Sequence, residues 1–216
     1  MVTLVLATKN RHKVEEIQAI LGSQFRCLAL SDFPNPPTPG ETQATFEGNA
    51  IQKATEIKQW LLATQKSTLP ASIDEVFVLA DDSGLEVDAL GGAPGVHSAR
   101  YAALDSGAVG NAPDHQNNAK LLKLLQGVPP SKRKARFRCV LALLPLSENQ
   151  NEARTFSGSC EGMISTDPSG AGGFGYDPLF VPTGHAQSFG ELGPELKNQL
   201  SHRNAALGQL RSFFRA

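Results

Sequence analysis

Two adjacent acidic residues, Asp81 and Asp82, follow a short apolar run and precede Ser83 and Gly84. Successive side chains of a strand point to opposite faces, so at most one of the two carboxylates faces a given site unless a turn has already begun. A carboxylate in this position could hold Mg²⁺ or accept a proton from water, and both roles suit a site beside phosphates. The alternative is a simple turn, because all four residues are common in turns.

A basic segment near the N-terminus could bind the phosphates. The apolar run at residues 2–7 predicts a buried strand, and apolar residues at helical spacing follow it. The turn between them consists of Thr8, Lys9, Asn10, Arg11, His12 and Lys13. Free backbone N–H groups at a helix N-terminus, reinforced by cations, suit a polyphosphate. The turn has no glycine, so it is neither a Walker A loop nor a dinucleotide fingerprint, and the alternative is a solvated helix cap made by Asn10.

Two later segments could bind the rest of a nucleotide. The first is glycine-rich and offers aromatic rings for stacking on a base together with a hydrogen-bond acceptor; it comprises Phe174, Gly175, Tyr176 and Asp177. The second is basic and could reach a phosphate or a base carbonyl; it comprises Lys197, Ser201, His202 and Arg203. The alternatives are a tight hairpin with aromatic plugs and ordinary basic residues near a helix end.

Composition excludes several other classes of protein. The chain has 216 residues, of which 40% are hydrophobic and 19% charged, so it can bury a sizeable core. Its formal charge is −1, so no bulk positive field is available to hold a nucleic acid. The basic run at residues 132–138 has few interleaved aromatic residues, and ion pairs on a sheet face explain it better than a nucleic-acid partner. The N-terminal apolar run is too short and polar for a signal or a membrane span, which predicts a cytoplasmic protein without a membrane partner.

The order of elements predicts the fold class. Strands and helices are intermixed without a strict βαβ repeat, and no linker divides the chain. We therefore predict an α/β fold formed by a single elongated domain, in one lobe or two, with a mixed central sheet flanked by helices. That domain spans residues 1–216. The three cysteines, Cys27, Cys139 and Cys160, have no CxxC spacing, so we expect core or surface thiols.

Taken together, six ordered motifs resemble the inosine triphosphate pyrophosphatase family, also called Ham1-like or dITP/XTP pyrophosphatases. The motifs are A-T-x-N-x-x-K at 7–13, N-A-x-x-K-A at 49–54, A-D-D-S-G-L at 80–85, G-G-A-P-G-V-H-S-A-R-Y at 91–101, F-G-Y-D-P at 174–178 and S-H-R at 201–203. Each motif is weak alone, but the resemblance covers essentially the whole chain in order.

The resemblance implies hydrolysis of dITP, ITP or XTP between the α and β phosphates, which yields a nucleoside monophosphate and pyrophosphate with the help of Mg²⁺. It also implies a homodimer and a role in keeping deaminated bases out of DNA and RNA. By motif, Asp82 would be the general base and a metal ligand, and Ser83 a substrate contact. Residues 8–13 would hold the triphosphate, with Lys53 as a further phosphate contact. The base and sugar would be held by residues 174–177, Lys197, His202 and Arg203.

One position departs from the family pattern. The family commonly has a glutamate directly before the N-A-x-x-K-A motif, whereas this chain has Gly48 there and Glu47 one residue earlier. Successive residues on a helix are rotated by roughly 100° about its axis. We therefore keep Glu47 as a metal ligand and leave open whether its carboxylate points in the direction of the family's glutamate. A non-catalytic nucleotide sensor is the alternative function, although a pure binder gains little from a carboxylate such as Asp82 beside a polyphosphate.

Base discrimination also follows from the resemblance. Hypoxanthine and xanthine carry a carbonyl where adenine carries an amino group, so donors in the pocket would accept the former and stay unpaired against the latter. We expect Arg203 and the backbone N–H groups of residues 172–176 to supply those donors.

Overall fold

The structure, a computed structural model, describes residues 1–65, 75–107 and 110–215 and contains a six-stranded sheet. In the order of the sheet, the strands are β2, β1, β3, β4, β5 and β6. They span β1 Thr3–Leu6, β2 Arg26–Ala29, β3 Val76–Val87, β4 Lys134–Pro145, β5 Arg154–Ile164 and β6 Phe180–Pro182. β1 runs parallel to β2 and β3, whereas β5 and β6 are antiparallel. The predicted α/β fold with a mixed sheet is therefore confirmed.

Six α-helices accompany the strands in the described ranges. They span α1 Arg11–Leu21, α2 Phe46–Thr64, α3 Ala103–Ser106, α4 Asp114–Leu124, α5 Phe189–Leu200 and α6 His202–Phe213. α5 is interrupted at Gly193, whose φ of 74° lies in the left-handed region that glycine adopts without strain. None of the helices in the described ranges is both long and apolar enough to span a membrane.

The chain divides into two compact units, each assembled from separate segments. The first unit consists of Met1–Asp82, Cys139–Ser157 and Ala206–Ala216, and the second of Ser83–Arg138 and Gly158–Ala205. β3, β4 and β5 each contribute residues to both units.

The core of the first unit is formed by alternate residues of its strands under two helices. Leu4 and Leu6 of β1 lie beside Phe77 and Leu79 of β3 in the parallel register, so their side chains share one face. Apolar residues of α1 and α6 pack on that face, among them Ile17, Leu21, Leu207 and Leu210. Asp81 continues the same alternation two residues after Leu79.

The core of the second unit is rich in aromatic rings. Phe137 of β4 lies at its centre, with its ring centroid 4.7 Å from that of Phe180 and 6.2 Å from that of Phe189. The imidazole of His202 stacks on the same ring at 4.9 Å with an interplanar angle of 14°. His202 is therefore held rigidly at the first turn of α6.

Candidate functional site

β3 presents the two neighbouring carboxylates to opposite faces of the sheet. The strand continues without interruption through Asp81, Asp82 and Ser83, so the turn considered for these residues is not formed. Asp81 and Asp82 are 2% and 5% exposed. Because the strand alternates, Asp81 meets residues on the α1 face, whereas Asp82 meets residues of α2.

Asp82 lies in what we call the acid–lysine cluster, formed by Glu41, Asn49, Lys53 and Asp82. The Lys53 ammonium is 2.7 Å from Oδ1 of Asp82, and the Asn49 amide donates to Oδ2 at 3.1 Å. Lys53 also contacts Oε1 of Glu41 at 3.0 Å. Two carboxylates therefore share one buried ammonium group, which leaves the cluster with an excess of negative charge.

Burial and charge act against each other on the pKa values of this cluster. Burial raises the pKa of Asp82 above its ordinary value, and the attraction of Lys53 and Lys13 offsets only part of that rise. Burial works to lower the pKa of Lys53, but the attraction of Asp82 and Glu41 outweighs it and raises that pKa. Lys53 therefore stays protonated at neutral pH. The pKa of Asp82 is shifted towards the range where a carboxylate can exchange protons.

Lys13 of α1 contacts β3 on the face opposite to that of Asp82. Its ammonium is 2.6 Å from Oδ1 of Asp81, and the thiol of Cys139 on β4 donates to Oδ2 of Asp81 at 3.3 Å. The Lys13 side chain is only 14% exposed. Asp81 therefore pairs directly with Lys13 of the basic segment, whereas Asp82 pairs with Lys53 of α2.

The segment at residues 8–13 forms the N-terminus of α1. The side chain of Asn10 accepts a hydrogen bond from the Lys13 backbone at 3.2 Å, so the cap considered as the alternative to a phosphate site is formed. Thr8 accepts from the Asn10 backbone at 3.1 Å, and Lys9 donates to Thr38 at 3.1 Å. Arg11 and His12 are exposed, with Arg11 paired to Glu15 at 2.8 Å. Cap and cations therefore coexist at one helix end.

The carboxylate of Glu47, predicted as a metal ligand, contacts a threonine of β5. It is exposed at the start of α2, and Thr155 of β5 donates to its Oε1 at 3.0 Å. Gly48 is tightly packed, since a Cβ there would lie 2.8 Å from the Cβ of Gln43. The sequence reasoning missed Glu41, the carboxylate that does contact Lys53. Its position in the chain segment before α2 gave no periodic signal.

In the second unit, Lys197 and Asp177 form a buried ion pair beneath an aromatic ring. The ammonium lies 2.6 Å from Oδ2 of Asp177 and 4.5 Å from the ring centroid of Phe174. The same Oδ2 accepts the backbone N–H of Phe174 at 2.7 Å. We call Phe174, Asp177 and Lys197 the aromatic–lysine cluster. Asp177 thus fixes both the loop backbone and the cation.

The glycine-rich loop uses most of its donors internally, which corrects the expectation that they face a base. Gly172 donates to the carbonyl of Gly190 at 3.0 Å, and Gly175 donates to Asp114 of α4 at 2.7 Å. Phe174 is bonded to Asp177 as described above. These three N–H groups are held by the fold, because a tight glycine loop needs partners for its own backbone.

Of the remaining predicted contacts, Arg203 and Tyr176 are buried and Ser83 is half-buried. Arg203 is 1% exposed, and its Nη2 donates to the hydroxyl of Ser83 at 3.0 Å. The Tyr176 hydroxyl donates to the Ser98 carbonyl at 2.9 Å, and burial raises the pKa of that tyrosine. Tyr176 is therefore an anchor of the loop, whereas Arg203 and Ser83 form a polar pair.

The described residues contain no group of three or more His, Cys, Asp or Glu side chains placed to hold a metal by themselves. The acid–lysine cluster supplies two carboxylates, from Glu41 and Asp82. This set fits Mg²⁺, which usually binds through one or two carboxylates and completes its shell with water and substrate phosphates.

Comparisons with known proteins agree over the whole chain. A sequence model of the Ham1 family matches residues 4–213. The chain is 47% identical to the dITP/XTP pyrophosphatase of Geobacter sulfurreducens over 212 residues, which cover 98% of this chain and 96% of that protein. It is 46% identical to the dITP/XTP pyrophosphatase of Desulforamulus reducens over 205 residues, covering 94% and 91%.

Solved structures are similar over the same length. A HAM1 protein from Coxiella burnetii has a TM-score of 0.79 and 38% identity, with 100% of this chain and 99% of that chain covered. A dITP/XTP pyrophosphatase from Mycobacterium abscessus has a TM-score of 0.69 and 37% identity, covering 97% and 98%. Sequence and fold therefore point to the same set of proteins.

Proposed function

The chain belongs to the Ham1 family, and from this premise we propose that it hydrolyses deaminated purine nucleoside triphosphates, namely dITP, ITP and XTP. The products are the nucleoside monophosphate and pyrophosphate. The observation that carries the proposal is the buried Asp82 beside Lys53 and Glu41, in a chain 47% identical to a dITP/XTP pyrophosphatase. Removal of these nucleotides keeps their bases out of DNA and RNA.

Asp82 acts as the general base. Its raised pKa brings it closer to neutrality than an ordinary aspartate, so it accepts a proton from the attacking water more readily. Asn49 and Lys53 fix the orientation of its two oxygens. The oxygen of the water then bonds to the α phosphorus, and pyrophosphate leaves.

Mg²⁺ is held by Asp82 and Glu41 in this proposal, and Glu41 takes the role first considered for Glu47. The metal supplies neutralisation of phosphate charge when it is bound. Glu41 is favoured because it contacts Lys53, which also contacts Asp82, while Glu47 is exposed and bonded to Thr155. Lys53 contributes a positive charge in the same cluster.

The N-terminus of α1 binds the triphosphate. The positive end of the helix and the cations Lys9, Arg11 and Lys13 neutralise the charge of the phosphates, with Thr8, Asn10 and His12 as further polar groups. In phosphoryl-type chemistry, positioning and charge neutralisation supply most of the catalysis.

The second unit recognises the base and sugar. The ring of Phe174 offers a stacking surface, and the donors of Lys197, His202 and Arg203 suit the carbonyl of a deaminated purine. Gly175, Tyr176 and Asp177 shape that loop, and Ser83 contributes its hydroxyl. We further propose a cytoplasmic homodimer, as the family resemblance implies.

The test is to incubate the purified protein with dITP, XTP, dGTP and dATP, with and without Mg²⁺, and to assay pyrophosphate and orthophosphate separately. We expect pyrophosphate from dITP and XTP only in the presence of Mg²⁺. Orthophosphate together with a nucleoside diphosphate would contradict the proposal. Tight binding without turnover would instead support the alternative of a nucleotide sensor. The buried carboxylate of Asp82, the proposed general base, disfavours that alternative.

A further inference from the structure

A buried chain of contacts connects a thiol of the sheet to a basic residue of α1. The thiol of Cys139 donates to Oδ2 of Asp81 at 3.3 Å, and Oδ1 of the same carboxylate is 2.6 Å from the ammonium of Lys13. All three residues belong to the first unit. Each oxygen of Asp81 thus has its own partner, so the carboxylate group has one preferred orientation.

The environment of Cys139 makes this contact matter. Cys139 is fully buried in the apolar core that also contains Leu79 and Leu141. A carboxylate oxygen that loses a partner in such surroundings keeps its desolvation penalty, so even the weak S–H donor has a large effect on how Asp81 is oriented. Asp81 in turn determines where the flexible four-carbon side chain of Lys13 ends.

We infer that Cys139 and Asp81 are positioning residues that hold Lys13 ready for the triphosphate, an inference that rests on the proposed function. Neither residue touches the substrate. A lysine that is already ordered loses less side-chain entropy when a phosphate binds, so the pair strengthens triphosphate binding. It does not assist the chemical step, which belongs to Asp82. The effect should therefore be found in KM and in pyrophosphate affinity, with kcat unchanged.

The first experiment compares Cys139→Ala with Cys139→Ser. For each variant we would measure the Kd of pyrophosphate by calorimetry, and KM and kcat for dITP. Cys139→Ala should raise Kd and KM about tenfold, within the range observed for coupled neighbours, and leave kcat within about twofold. Cys139→Ser keeps a donor and should restore wild-type values. Cys160→Ala is the matched control, because it removes a buried thiol from the second unit.

The second experiment repeats Cys139→Ala in a Lys13→Met background. If Cys139 acts through Lys13, the alanine substitution should add no further loss of pyrophosphate affinity there. An equal loss in both backgrounds, or no loss in either, would overturn the inference. Should Cys139→Ala fail to fold, Cys139→Val replaces it, since valine has a similar volume and no donor. Absence of dITP hydrolysis by the wild-type protein would refute the proposed function alone, because pyrophosphate binding would still test the positioning.

Discussion

The two units each contain a buried lysine–carboxylate pair, and the two pairs have nearly equal geometry. Lys53 and Asp82 lie 2.7 Å apart in the first unit, and Lys197 and Asp177 lie 2.6 Å apart in the second. Their surroundings differ. The ammonium of Lys53 is shared with a second carboxylate, Glu41, whereas the acceptor oxygen of Asp177 is shared with a backbone N–H of the glycine-rich loop.

This difference separates a pair proposed to take part in the chemical step from a pair that shapes the proposed base-binding loop. A second carboxylate adds negative charge, so the acid–lysine cluster is suited to attract a metal ion and to exchange protons. A backbone donor adds geometric constraint, so the aromatic–lysine cluster fixes the path of residues 173–177. The role of a buried ion pair therefore depends on the further groups that contact it.

The largest expected effect comes from Asp82→Asn. The amide is nearly isosteric with the carboxylate and should preserve the fold, but it cannot act as a base, so kcat for dITP should fall by at least about 10²-fold. Asp81→Asn should lower kcat much less, because Asp81 faces Lys13 and the opposite side of β3. Steady-state kinetics with circular dichroism as a folding control would check this. Equal losses of kcat would show that the roles within the pair are wrongly assigned.

Asp177→Asn should lower stability, and it should change KM for dITP more than kcat, because Asp177 holds Lys197 and the loop proposed to bind the base. Removal of one partner of a buried pair leaves Lys197 with an uncompensated charge, which costs about 3–5 kcal/mol. We expect a clear fall in the free energy of unfolding in urea, while the exposed Asp167→Asn should leave it unchanged. If Asp177→Asn matched the wild type in stability but lost turnover, the second pair would be as reactive as the first.

Arg203→Ala should change specificity, which no substitution in the first unit should do. Loss of the guanidinium removes donors for the base carbonyl, so kcat/KM for dITP should fall about tenfold or more while dATP stays near its low level. The control is Arg133→Ala, since Arg133 is also buried in the second unit but donates to backbone carbonyls. A proportional loss for dITP and dATP would make Arg203 a phosphate or structural residue.

The smallest effect is a displacement of the titration of Asp82. Burial raises the pKa of Asp82, so in the metal-free protein this carboxyl should titrate above the ordinary aspartate value of 3.8. Glu41 contributes to that rise and Lys13 opposes it. Glu41→Gln should therefore move the titration of Asp82 to lower pH, and Lys13→Met should move it to higher pH. Titration of the Asp82 carboxyl by NMR without Mg²⁺ would test this, and shifts of the same sign would contradict the electrostatic assignment.

Local sequence signals predicted the elements well. The cap by Asn10, weighed for this segment as the alternative to phosphate binding, is formed in the structure. The apolar run at residues 2–7 correctly indicated β1, and the mixed α/β class followed from the order of elements. Arg136 pairs with Glu161 and Asp88, which bears out ion pairs as the explanation of the basic run.

The contacts that matter most in the candidate site were harder to predict. Glu41 reaches Lys53 from a segment without periodicity, and such a contact depends on the path of the chain before α2. The turn residues at 81–84 suggested an end to β3, but sheet pairing overrode that local preference and extended the strand to Val87. The internal partners of the loop N–H groups, such as Asp114 for Gly175, likewise arise from tertiary packing.

The segmented composition of the first unit has a consequence for how the protein is made. Its core includes Leu207 and Leu210 of α6, which are synthesised about 200 residues after β1 and α1. Contacts between residues so far apart in the chain form slowly and expose apolar surface until they do. During translation β1 and α1 therefore cannot complete their packing until α6 has been synthesised. In that interval the apolar face of β1 is exposed and prone to aggregate.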